Sequence, residues 1–210
     1  MRRDLRASRS GLPSLGQLAI RSFLAVSLAV APASGLALAQ SSYRVFAERL
    51  VANPPDGLIL RPDLETYLNE RAANARRGAG RSAVAAAPEL LTAARAQALE
   101  MAIGNYVGHQ SSTREPFRKR FEAFLDNAGV TAYGENAARD RQKGGVDPVK
   151  ASRLFQQWLD SAGHRRNLMN PDYQYVATGA VQKGNHLYAV QIFWNRDPSK
   201  VTKPGQPTFY

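Results

Sequence analysis

The chain has 210 residues, 28 Lys and Arg against 17 Asp and Glu, and no cysteine. That length supports one ordinary domain with appendages, and the missing thiols exclude disulfide scaffolds, cysteine zinc fingers and cysteine nucleophiles. The net charge of +11 is scattered rather than gathered into a nucleic-acid motif, so it reads as a solvated face, with attraction to anionic envelope surfaces or acidic polymers as the alternative.

Residues 1–39 begin with Arg2, Arg3, Arg6 and Arg9, and Arg21 precedes the apolar run 23–33. They end in Ala37-Leu38-Ala39. A basic start, an apolar core and a small-residue exit describe a Sec-type signal peptide cleaved after Ala39. The expected compartment is therefore outside the cytoplasm, secreted or periplasmic. The apolar run is too short for a membrane span, so no integral span is expected once the signal is gone. Five arginines and one aspartate fall in this segment, so residues 40–210 keep a net charge of +7.

Residues 40–61 are expected as an N-terminal lead, helical or irregular to residue 52 and then turning at Asn53-Pro54-Pro55-Asp56-Gly57. A first helix opens at Arg61-Pro62-Asp63, with Leu64, Tyr67, Leu68 and Ala72 on its apolar face. It fades in a basic loop over residues 76–80. A second helix opens at Pro88 and runs to about Ile103, with Leu90, Leu91, Ala94, Ala98 and Met101 buried. A third starts near Glu115-Pro116, with Phe117, Phe121, Phe124 and Leu125 inward and Arg118, Lys119, Arg120 and Glu122 outward, and stops at Gly129. Residues 130–137 are extended and 139–145 form a polar loop. Asp147-Pro148 caps a fourth helix that turns Leu154, Phe155 and Trp158 inward and ends at Gly163.

Two strands, 175–181 and 186–194, flank the hairpin signal Gln182-Lys183-Gly184-Asn185. The second strand is apolar on both faces, with Leu187, Ala189 and Phe193 on one and Tyr188, Val190, Ile192 and Trp194 on the other. A strand of that kind is covered on both sides. The domain is thus bounded at 62–196, followed by a loosely attached tail over 197–210.

Two of the three histidines, His109 and His164, each follow a glycine at a helix end, and Glu135 sits in Gly134-Glu135-Asn136. Two imidazoles and a carboxylate suit a divalent metal such as zinc. The residue types equally suit a mutually hydrogen-bonded structural group, which spacing alone favours. His186, at a strand start, reads as a surface residue. Ser161 reads as a helix-end hydrogen bonder rather than a nucleophile, with Asp160 beside it. No Gly-x-Ser-x-Gly elbow, phosphate loop or H-E-x-x-H occurs, so no catalytic constellation is identified.

The ordered set of residues 68–74, Gly108-His109, residues 134–138 and residues 158–170 resembles the CAP superfamily, in its bacterial SCP-domain branch. The run Ser161-Ala162-Gly163-His164-Arg165-Arg166-Asn167-Leu168 is the most specific part. The resemblance implies an α+β fold, a three-layer α-β-α sandwich around a central antiparallel sheet with an open cleft. It implies that His109, Glu135 and His164 face that cleft as candidate metal ligands. Ser161 stands where many members carry a second glutamate, Ala162 replaces the usual proline, and the cysteines are absent. The expected role is a monomeric binding module for a small apolar or anionic ligand or an envelope component. The alternatives are a metal-dependent, peptidase-like hydrolase and an envelope-associated structural protein.

Overall fold

The computed structural model describes residues 42–125, 129–197 and 199. The expected signal segment and all but the first residues of the expected tail lie outside the described residues.

Among the described residues, six helices and five strands follow in the order α1 (Ser42–Ala52), β1 (Leu58–Leu60), α2 (Pro62–Gly78), β2 (Ala85–Ala86), α3 (Leu91–Gly104), α4 (Phe117–Glu122), β3 (Tyr133–Asp140), α5 (Pro148–Asp160), α6 (Ala162–Leu168), β4 (Tyr175–Lys183) and β5 (His186–Trp194). The sheet runs β1-β4-β5-β3 and is antiparallel along that path. The two-residue β2 joins the outer side of β4 in parallel. Gly184, at φ +57, makes the tight turn between β4 and β5, a conformation glycine adopts without steric cost.

The alternation of β5 divides the core as its residue pattern predicts. Leu187, Ala189 and Phe193 pack with Leu64, Leu68, Leu154, Phe155, Trp158 and Leu168 of α2, α5 and α6. Tyr188, Val190, Ile192 and Trp194 pack with Leu90 just before α3, Ala94 and Ala98 of α3 and Phe121 of α4. This is the α+β three-layer sandwich. On the second face the helix lies unusually close: a Cβ at Gly179 of β4 would overlap the Arg95 backbone nitrogen and the Ala94 carbonyl group. Ala93, Ala94, Ala98 and Ala102 let the helix approach that far.

Several boundaries differ from expectation. The residues expected as a lead are built into the domain: α1 packs Tyr43 and Ala47 against Ala96 of α3, and β1 pairs with β4. The expected third helix is shorter, because α4 closes at Glu122 and tightens through the bond from Phe124 N to Phe121 O (3.1 Å). The expected polar loop after residue 138 is still strand, as Arg139 and Asp140 pair with Tyr188 and Leu187. Arg76, expected in a flexible basic loop, is fully buried in α2. The fourth helix stops at Asp160 rather than Gly163; Ser161 adopts an extended conformation (φ −81, ψ 121) and α6 starts anew with Gly163 inside it.

Candidate functional site

The sheet and its flanking helices bring β3 between a loop that carries His109 and a short helix that carries His164. The loop 105–116 follows α3, where Asn105 at φ 53 provides a left-handed cap that asparagine tolerates better than most residues. Two buried side chains of α3 then hold the loop. Gln97 Nε2 donates to the carbonyls of Gly108 (2.8 Å) and Gln110 (3.3 Å). Glu100 Oε2 accepts from Ser111 Oγ (2.6 Å), Ser112 N (2.5 Å) and Ser112 Oγ (2.6 Å). Its other oxygen accepts from Tyr43 OH at 3.3 Å, and burial pushes that phenol well above its ordinary pKa.

Glu135 projects from β3 with its side chain 1% exposed. Arg120 Nη2 donates to Oε1 (2.8 Å) and Oε2 (2.9 Å), and also to the His109 carbonyl (2.8 Å). His109 Nδ1 lies 2.9 Å from Glu135 Oε1; because a carboxylate only accepts, the imidazole is the donor. That bond raises the His109 pKa above its ordinary value, against burial and the Arg120 charge. Arg120 itself is fully buried. Burial is the strongest single influence and opposes its charge, but Glu135 and Tyr43 together outweigh it and the Arg120 pKa is raised. A buried ion pair of this kind persists only when each charge has its partner.

His164 is held by backbone and amide groups instead. Asn136 Nδ2 donates to the His164 carbonyl (3.0 Å), and Asn167 Nδ2 donates to Asn136 Oδ1 and to the Glu135 carbonyl, both at 3.1 Å. The far end of α6 is bolted down by Arg76, whose Nη1 donates to the carbonyls of Leu168 (2.8 Å) and Asn170 (2.7 Å). A cation at a helix C-terminus also complements the helix dipole. His164 Nδ1 is buried without a hydrogen-bond partner. Burial, then the charge of His109, lower the His164 pKa. The ring lines a cleft of about 340 Å³ with Val107, Arg139, Arg141, Gln157 and Ser161.

The structure therefore joins His109 and Glu135 directly and sets His164 within the electrostatic reach of His109. It also occupies the carboxylate. Both Glu135 oxygens face Arg120, and Oε1 also faces His109, which leaves the glutamate as the group that orients the imidazole. Among the described residues no group of three or more His, Cys, Asp or Glu is arranged to hold a metal ion. Ser161 precedes α6 without a side-chain capping bond, and Asp160 accepts from Gln156 Nε2 (2.8 Å) along α5. His186 opens β5 half-buried.

Sequence reasoning missed Arg120, Glu100, Gln97 and Asn167. For Arg120 a signal existed. It stands three residues after Phe117 and four before Phe124, inside the aromatic stripe rather than opposite it, and a charge in such a stripe calls for a buried partner.

The cysteine-rich secretory protein (CAP) family matches residues 70–194. The uncharacterized protein YkwD of Bacillus subtilis (strain 168) is 34% identical over 98 residues, which are 46% of this chain and 34% of that protein; the chain thus spans about a third of the length of that curated relative. An outer surface protein from Borrelia burgdorferi shares the fold with a TM-score of 0.54 at 17% identity, over 64% of this chain and 94% of that one. An extracellular SCP-domain protein from Bacillus anthracis str. Ames also gives 0.54, at 24% identity, over 64% of this chain and 41% of its own.

Proposed function

The chain belongs to the cysteine-rich secretory protein (CAP) family, and from that footing we propose that it is an extracytoplasmic binding module. It recognises an anionic group through His109 and through His164, which lines the cleft. The carrying observation is that the Glu135 oxygens are already committed to Arg120 and His109. A carboxylate so engaged does not serve as a general base, which must be free to take a proton. What remains at the surface is an imidazole inclined to be charged, His109, and one inclined to be neutral, His164. When protonated, the first donates to an anion through its outer nitrogen; when neutral, the second offers one donor and one acceptor. The signal pattern of residues 1–39 supports export. No helix among the described residues is long and apolar enough to cross a membrane.

The test is an NMR titration of the imidazole nitrogens in the purified chain, with acetate as a minimal carboxylate probe. His109 is expected to titrate above, and His164 below, the ordinary histidine value, and acetate is expected to move both resonances while leaving His186 in place. Zinc-dependent cleavage of an unstructured substrate such as casein, abolished in His164→Ala, would overturn the reading in favour of a hydrolase.

A further inference from the structure

The sequence scatters its cations, but the sheet gathers several of them at one end. The β3–β5 register sets Arg139 beside Tyr188, and the β4–β5 register sets Lys183 opposite His186. Side chains alternate along a strand, so these four residues share the face turned toward α3. Two of the cations are pinned there. Arg139 Nη1 donates to the Asn105 carbonyl (3.0 Å) and to Asn105 Oδ1 (2.8 Å), with its guanidinium carbon 5.5 Å from the Tyr188 ring centre. Lys183 Nζ donates to the Ala102 carbonyl at 2.7 Å. Arg141, two residues further on, shares the cleft wall with Arg139 and His164.

The acid inside this run is turned away. Asp140 points to the opposite face, buried, where Arg153 Nε lies 3.1 Å and Lys150 Nζ 3.9 Å from its oxygens. Slight burial, then the cations Arg139, Arg141, Lys150 and Lys183, lower the His186 pKa.

We propose that Arg141, Arg139 and Lys183, with the His186 imidazole among them as a hydrogen-bond donor, form a docking track for a linear phosphate-bearing polymer, laid from the mouth of the His164 cleft out to the β4–β5 turn. The charges form a series rather than a single nest, which suits a repeating anion better than one small ion. Arg139 and Arg141 stand on the wall of a concave cleft, which a flexible chain enters and a flat bilayer does not. The bonds of Arg139 run through Nη1, leaving Nε and Nη2 for the fork geometry that phosphate favours. The track uses cations outside the histidine pair, so it stands or falls separately from the anion site proposed there.

The test uses the purified chain and long-chain inorganic polyphosphate, with binding followed across a range of salt concentrations. The chain is expected to bind long-chain polyphosphate at least about tenfold more tightly than orthophosphate at equal phosphate concentration, through the release of condensed counterions. Arg141→Glu, at an exposed position, is expected to weaken binding by about tenfold and to flatten the salt dependence by about one unit of logarithmic slope. Arg81→Glu carries the same charge change at an exposed position off the track and is expected to leave affinity within about twofold. Lys183→Gln gives a second variant that keeps Arg141. An equal loss in Arg81→Glu overturns the track in favour of a net-charge effect. So does an absence of polyphosphate binding, or tighter binding to anionic phospholipid vesicles that Arg141→Glu leaves unchanged.

Discussion

The two histidines reach the same strand by different means. His109 sits on a loop with no secondary structure of its own, and charged groups hold that loop: Glu100 on one side, the Arg120–Glu135 pair on the other. His164 sits on a helix, and neutral amides hold it through Asn136 and Asn167. A loop has no ladder of backbone bonds to fix it, so its position rests on a few charge-assisted contacts, each stronger than a neutral bond. A helix brings its own ladder and needs only docking. The loop half should therefore be the more fragile under single substitutions.

The sharpest break is Arg120→Met. It leaves Glu135 as a buried carboxylate without its cation, and removing one partner of a buried pair costs about 3–5 kcal/mol. Chemical denaturation measures this, and the double variant Arg120→Met/Glu135→Gln should recover part of the loss. Full stability in Arg120→Met would show that the loop does not lean on this pair. Glu100→Gln comes next, with a loss of about 2–3 kcal/mol for weakened bonds to a charged acceptor. Hydrogen exchange at residues 111–113 should accelerate while the amides of α6 stay protected; equal acceleration in α6 would merge the two halves into one unit.

On the helix side, Asn167→Ala removes two neutral bonds and should cost about 1–2 kcal/mol. The His164 resonances should shift and those of His109 should not.

The smallest effect is that of pH. The raised pKa of His109 means that its bond to Glu135 contributes fully below the unfolded histidine value and is lost as pH rises through the folded value. His164 runs the other way: its preference for the neutral form contributes above the unfolded value and is lost as pH falls through its lowered one. Stability measured across this window should lose its alkaline-side decline in His109→Gln and its acid-side decline in His164→Gln.

The layers of the fold were legible because they rest on local periodicity. The two-faced pattern of β5, the Pro62 and Pro148 helix starts and the hairpin at Gly184 each declare themselves within a few residues. The candidate site was legible in its imidazoles and its glutamate but not in what binds them. Arg120 meets Glu135 fifteen residues away, and Arg76 meets Asn170 ninety-four residues away. No short-range pattern encodes those meetings. The short edge strands β1 and β2 were missed for the same reason, since each exists through its pairing with β4 rather than through a propensity of its own.

Gly179 gives the site a tolerance that no residue near the histidines reveals. The helix whose Gln97 and Glu100 grip the loop rests against this bare backbone, whereas Glu135 rides on the sheet itself. The gap between gripping helix and receiving carboxylate is therefore gauged by a missing methyl group. A side chain there would act as a shim, lifting one jaw of the site from the other while every polar residue in it stayed in place.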